Sequence, residues 1–119
     1  MKEVLRPERV FAAHHKIRWV GMVALNGPVL LCEMRPGVKS VTPADEDRLM
    51  LELQAPFPTE MANRCAKWNG PLEQVVVSYR AFYELHVPLD ENLVVVILEK
   101  DIPFAEIPEV ARKIKDLSQ

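Results

Sequence analysis

At 119 residues, with 49% apolar and 27% charged side chains, the chain has enough hydrophobic material for one core and too little for two, so a single domain spanning 1–119 is expected. A formal net charge of −2 and a pI near 5.9, with both signs mixed along the chain, provide no basic field for a nucleic-acid backbone and disfavour nucleic acid as a partner. The two cysteines argue against a disulfide-built secreted domain: Cys32 falls in an apolar strand-like run and Cys65 in a helical one, and both are expected as reduced, buried thiols.

The first residues, Met1 to Pro7, carry charges where a secretory leader needs its apolar segment. The longest uncharged stretch, Trp19 to Cys32, is short for a membrane span and holds Asn26-Gly27-Pro28 in its middle. A cytoplasmic protein without direct membrane insertion is the expectation.

Helix one is predicted to begin near Pro7, where a missing amide donor is harmless, and to carry Val10 and Phe11 on its apolar side. Ile17 to Leu25 follows as a strand with Ile17, Trp19, Gly21, Val23 and Leu25 on one side and Arg18, Val20, Met22 and Ala24 on the other. Both sides are largely apolar, the mark of a strand covered on both faces. Asn26-Gly27 between two apolar runs predicts a hairpin through a type I′ turn, with Pro28 to Met34 returning as an edge strand.

Thr42-Pro43-Ala44-Asp45 reads as a helix start: Thr42 as cap, Pro43 at the first helical position, and Asp45, Glu46 and Asp47 complementing the positive end of the dipole. Leu49, Met50 and Leu53 are the predicted buried stripe. Pro56 and Pro58 are expected to break the helix, with Thr59 restarting a segment through Met61, Ala62, Cys65 and Ala66 to a stop at Asn69-Gly70-Pro71.

Leu72 to Tyr79, Phe82 to Val87 and Leu93 to Glu99 then read as three strands, and their short connections imply an antiparallel meander. Leu93 to Leu98 is apolar without alternation and is the strand buried on both faces. Beyond Pro103, the spacing of Ile107, Val110, Ala111, Ile114 and Leu117 predicts an amphipathic helix.

No pattern carries catalysis. His14 and His15 are adjacent, so on a helix they point about 100° apart and cannot share one ion; His86 has no cysteine at ligand spacing. Ser40 and Ser78 lack a histidine-plus-acid pattern, and the four glycines are scattered rather than arranged as a phosphate-cradling loop. Arg35 and Lys39 could bind an anion, although a solvated loop is the simpler account. No catalytic, cofactor or metal residue is therefore assigned. The most suggestive element is Gln74-Val75-Val76-Val77-Ser78-Tyr79: a free apolar strand edge invites pairing with another chain, whereas an inner strand would not.

Ile17-Arg18-Trp19-Val20-Gly21-Met22-Val23-Ala24-Leu25-Asn26-Gly27, Glu33-Met34-Arg35-Pro36-Gly37-Val38 and Leu89-Asp90-Glu91-Asn92-Leu93-Val94-Val95-Val96, in this element order, make the chain resemble the Roadblock/LC7 superfamily, particularly its small archaeal members of uncharacterised function. The likeness spans nearly the whole chain; related strand–turn–strand patterns occur in longin, profilin-like and PAS-like domains. It implies an α+β sandwich with a five-stranded antiparallel sheet in order 2-1-5-4-3 and helices packed on it. Pro56 and Pro58 depart from the family's longer uninterrupted helix.

The resemblance also implies a non-enzymatic homodimer that scaffolds or regulates other proteins, small GTPases among them, without a cofactor. Its dimer contact is expected at the edge residues Val75, Val77 and Tyr79, assisted by Met61, Cys65 and Trp68. The alternatives are a small-ligand sensor with a pocket between the sheet and the long helix, and a minor enzyme using Cys65 or a histidine.

Overall fold

The computed structural model describes residues 5–54 and 64–118. In chain order they form helix α1 (Pro7–Ala12), strands β1 (Ile17–Ala24) and β2 (Val29–Met34), helix α2 (Ala44–Gln54), helix α3 (residues 64–69), strands β3 (Val75–Ser78), β4 (Phe82–Pro88) and β5 (Asn92–Glu99), a 3-10 turn at Phe104–Glu106 and helix α4 (Ile107–Leu117). The five strands make one sheet in order β2-β1-β5-β4-β3, with every neighbouring pair antiparallel. The two-sided apolar strands β1 and β5 sit side by side in its middle, and β3 lies at an edge.

One sheet face is covered by α1 and α4. Val10 and Phe11 from α1 and Ile107, Val110, Ala111 and Ile114 from α4 bury against Val20, Met22, Leu85, Val94 and Val96. Both helices meet the sheet on the stripe their spacing predicts. The opposite face carries a smaller cluster of Trp19, Val23, Leu51, Leu93 and Val95, in which Leu51 is the contribution of α2.

Local chemistry overrides the simple pattern in several places. Asn26-Gly27 closes the β1–β2 hairpin, but not through a type I′ turn. Gly27 alone of the turn has positive φ (129°), and its N–H donates to Ala24 O at 2.9 Å, which puts Leu25 and Asn26 at the central positions. The Ala24 N–H donates to Pro28 O at 2.9 Å, giving a three-residue loop ending on glycine, and a bulge at Leu30 absorbs the extra residue. A second bulge sits at the start of β1, where Ile17 faces Leu98 and Trp19 faces Ile97. It turns Ile17 into the cluster under α1 and α4, away from the side of Trp19 predicted by strict alternation.

Helix α2 begins one residue later than its capping pattern suggests. The Pro43 carbonyl accepts from Glu46 and Asp47 N–H, and the Thr42 hydroxyl donates to Asp47 Oδ1 at 2.6 Å rather than receiving a helix amide. Its predicted stripe is also outward: Leu49, Met50 and Leu53 are exposed, and Leu51 is the buried residue. Strand β3 begins at Val75, three residues after the predicted Leu72. Gly70 ends α3 as expected, at φ 82° with its N–H donating to Ala66 O at 2.8 Å. Pro56, Pro58, Thr59, Met61 and Ala62 lie outside the described residues. No helix among the described residues is long and apolar enough to cross a membrane.

Candidate functional site

Strand β3 bonds to β4 on one side, with Val75 opposite His86, Val76 opposite Leu85, Val77 opposite Glu84 and Ser78 opposite Tyr83. The Tyr79 N–H donates to Phe82 O at 2.9 Å in the same register. Residues of the same parity, Val77 and Val75, therefore direct their backbone groups at β4, and Val76 and Ser78 turn theirs outward along the sheet edge. The side chains alternate as well. Val76 packs on the cluster beneath α4, which places Val75 and Val77 on the α2 side of the sheet.

The six residues expected at a dimer contact are thus partly brought together. Val75 and Val77 share a face, and Tyr79, 48% exposed, follows at the end of the same edge. Cys65 is exposed, against its expected burial, and lines a separate depression with Asn69, Leu72, Gln74 and Pro108. Trp68 is 73% exposed and carries the Lys67 ammonium 4.4 Å from its ring centroid. Met61 lies outside the described residues.

Between α2 and the sheet is a cavity of about 260 Å³, in the place where the sensor alternative expects one. Trp19, Val95 and Ile97 supply its sheet wall, Met50 and Leu51 its helix wall, and Tyr79 and Phe82 its mouth toward β3. Arg18, Asp47 and Glu84 are its charged lining residues. Arg18 Nη1 donates to Glu99 Oε1 at 2.9 Å and Oε2 at 3.2 Å, Nη2 donates to Lys39 O at 2.9 Å, and the guanidinium lies 4.4 Å above the Phe82 ring.

Beside Glu84, His86 is buried with Nε2 3.2 Å from Glu84 Oε1 and no partner for Nδ1. An Nε2–H tautomer satisfies the carboxylate and leaves only an acceptor lone pair unmatched, the cheaper of the two defects. The sequence signal for this pair is the alternation of Glu84 and His86 along β4 with Leu85 and Val87. That polar-versus-apolar alternation marks the side of β4 facing away from the larger core.

The remaining candidates hold structure together. The His14 and His15 rings stack beyond the end of α1, 4.7 Å apart, rather than diverging on a helix. Lys16 N–H donates to His14 Nδ1 at 3.0 Å, so Nε2 carries the proton that reaches Glu106 Oε1 at 2.9 Å. Arg35 is no anion site: Nε donates to Ile17 O at 2.6 Å, Nη2 to Phe11 O and His14 O at 2.7 Å each, and the guanidinium lies 5.1 Å from the Phe11 ring centroid. Cys32 is half-buried and unbridged; burial, then the Asp47 charge, raises its thiol pKa against an opposing hydrogen bond from Trp19. Among the described residues, no three histidine, cysteine or acidic side chains are grouped for a metal ion.

No protein-family model and no curated protein sequence matches the chain. Among solved structures it is similar to a Roadblock/LC7 domain from Streptomyces avermitilis, at a TM-score of 0.67 and 12% identity over 96% of this chain and 95% of that one. It is also similar to the gliding protein MglB from Thermus thermophilus, at 0.61 and 11% identity over 98% and 95%. Acanthamoeba castellanii profilin IB matches at 0.57 and 9% identity over 92% and 90%. The fold is the one these Roadblock/LC7, MglB and profilin chains share.

Proposed function

We propose that this chain is a non-enzymatic, cytoplasmic scaffold that works as a homodimer joined along β3. The observation that carries the reading is the edge position of Val75-Val76-Val77-Ser78: three consecutive β-branched apolar residues, with the backbone groups of Val76 and Ser78 turned away from β4. An edge of this composition is a template for another strand. Pairing with β3 of a second copy across a two-fold axis extends the sheet and brings Val75, Val77 and Tyr79 of both copies to one seam. The exposed Leu49, Met50 and Leu53 of α2 supply further apolar surface for a protein contact.

Two likenesses support the reading. A solved structure of MglB with a tetrameric arrangement, 14% identical over 93% of this chain, shows self-assembly on this fold. The resemblance to Roadblock proteins extends the proposal to a small GTPase as the partner that the dimer regulates.

Light scattering at tens of micromolar tests the dimer, since a micromolar association is largely formed there. Val77→Lys, which places a charge in the seam, and Ser78→Pro, which removes an outward amide donor without touching a β3–β4 bond, are both expected to give folded monomer. A monomeric wild-type protein defeats the proposal. Co-purification of a guanine-nucleotide-binding chain with wild type but not with Val77→Lys is the expected result for the GTPase.

A further inference from the structure

Of the three β3 seam residues, the cavity between α2 and the sheet takes only Tyr79. Its lining residues Trp19, Leu51 and Val95 are almost fully buried and close it on the protein side, whereas Val41, Met50 and Tyr79 are exposed and leave it open to solvent on theirs. The volume of about 260 Å³ exceeds the roughly 150 Å³ that suffices for benzene in an apolar protein cavity. A single turn of helix, about 10 Å across and 5.4 Å tall, needs roughly 420 Å³. The space therefore suits one ring with a short alkyl chain, and not a docked helix.

The polar side chains of the lining are engaged within the protein. Arg18 is held by both Glu99 carboxylate oxygens and by Lys39 O, with its guanidinium over the Phe82 ring. The Ser40 hydroxyl donates to Thr42 O, the Thr42 hydroxyl donates to Asp47, and Glu84 meets His86. The Arg48 charge acts against that of Asp47 at Cys32, on the same sheet face. A charged guest would lose its hydration on entry and find these counter-charges already paired. An uncharged apolar guest loses nothing of the kind and gains contact with Trp19, Met34, Leu51, Val95 and Ile97.

We infer that this cavity binds a neutral, ring-sized apolar molecule. Ethylbenzene is the probe, with benzylammonium as the cation of the same shape and benzoate as the anion of similar size. In heteronuclear NMR of the full chain, ethylbenzene is expected to shift the Trp19 indole and the Leu51 and Val95 methyl signals saturably and to give intermolecular NOEs to those methyls. Both charged probes are expected to bind at least tenfold more weakly. Ile97→Trp, which fills the space from the sheet side, is expected to abolish the shifts; the NOEs of the wild-type chain locate the guest whether or not this variant folds. Absence of a saturable shift overturns the inference, as do NOEs confined to other residues. Binding of benzylammonium or benzoate as tight as that of ethylbenzene also overturns it, because the lining would then offer charge to a guest. Ethylbenzene binding undiminished in a folded Ile97→Trp chain would place the guest elsewhere and overturn it too.

Discussion

Gly21 and Leu51 meet where α2 touches the sheet: a Cβ built on Gly21 would stand 2.7 Å from Leu51 Cδ1 and 2.8 Å from Cδ2, and closer still to Trp19 Cη2. Both neighbours are buried, with Leu51 1% and Trp19 5% exposed, and both are held in the cluster with Val23, Leu93 and Val95. The glycine is needed for room, not for backbone freedom. Gly21→Ala is expected to cost about 1–3 kcal/mol by overpacking. Leu51→Ala in the same chain should recover part of that loss, and a double-mutant cycle from urea midpoints measures the coupling. Additive losses would mean that the two residues do not compete for one volume.

Arg35 binds three backbone carbonyls, those of Phe11, His14 and Ile17, which tie the end of α1 to the start of β1. Lysine keeps the charge but cannot present donors in a planar fork. Arg35→Lys is therefore expected to cost about 1–3 kcal/mol, read as a lowered urea midpoint at unchanged slope. An unchanged midpoint would show that solvent satisfies those carbonyls equally well.

Much of this architecture is legible in the sequence because burial and periodicity agree. Val94, Val95 and Val96 are buried on both faces of β5, and Ile107, Val110, Ala111 and Ile114 form the contact stripe of α4. Helix α2 shows where that logic stops. Leu49, Met50 and Leu53 have helical spacing, yet a stripe that faces the core and one that faces outward are identical in sequence. Bulges at Leu30 and near Ile17 are tertiary adjustments that alternation alone does not encode. The cavity was legible only as a place. Its charges come from Arg18, Asp47 and Glu84, residues far apart in sequence that β-pairing and α2 bring onto one lining.

Thr42 illustrates a cap read one residue out of place. Since its hydroxyl serves the half-buried Asp47 side chain and the Pro43 carbonyl takes the first helix bonds, Thr42→Ala is expected to change stability by no more than about 0.5 kcal/mol. A loss near 1 kcal/mol in thermal or urea melts would restore Thr42 to the capping role.

The two thiols should differ in reactivity. Cys65 is exposed, whereas Cys32 is half-buried with its pKa raised, chiefly by burial, so less of it is thiolate at a given pH. Under native conditions near pH 8, iodoacetamide is expected to alkylate Cys65 first, and unfolding in urea should bring both to similar rates. Peptide mass mapping over time reads the order. Faster native labelling of Cys32 would place its sulfur in a more open or more cationic setting than the fold shows.

Asp101 links the turn after β5 to the start of β1 by accepting from Lys16 Nζ at 2.8 Å, and that hydrogen bond is the largest cause of a pKa below the usual 3.8. A carboxyl whose pKa is lower in the folded chain than in the unfolded one binds protons more tightly when unfolded. Its stabilisation is therefore complete well above pH 3.8 and is lost as the pH falls through the depressed folded value. The group is fully exposed, so the effect is small and screened by salt. Asp101→Asn is expected to lower the urea midpoint slightly at pH 7 and low ionic strength, with the difference from wild type shrinking as the pH falls below 3.8 toward the depressed folded value. Lys16→Met should reproduce the same pH dependence. A difference that does not shrink at all as the pH falls below 3.8 would assign the contribution of Asp101 to the shape of the turn rather than to its charge.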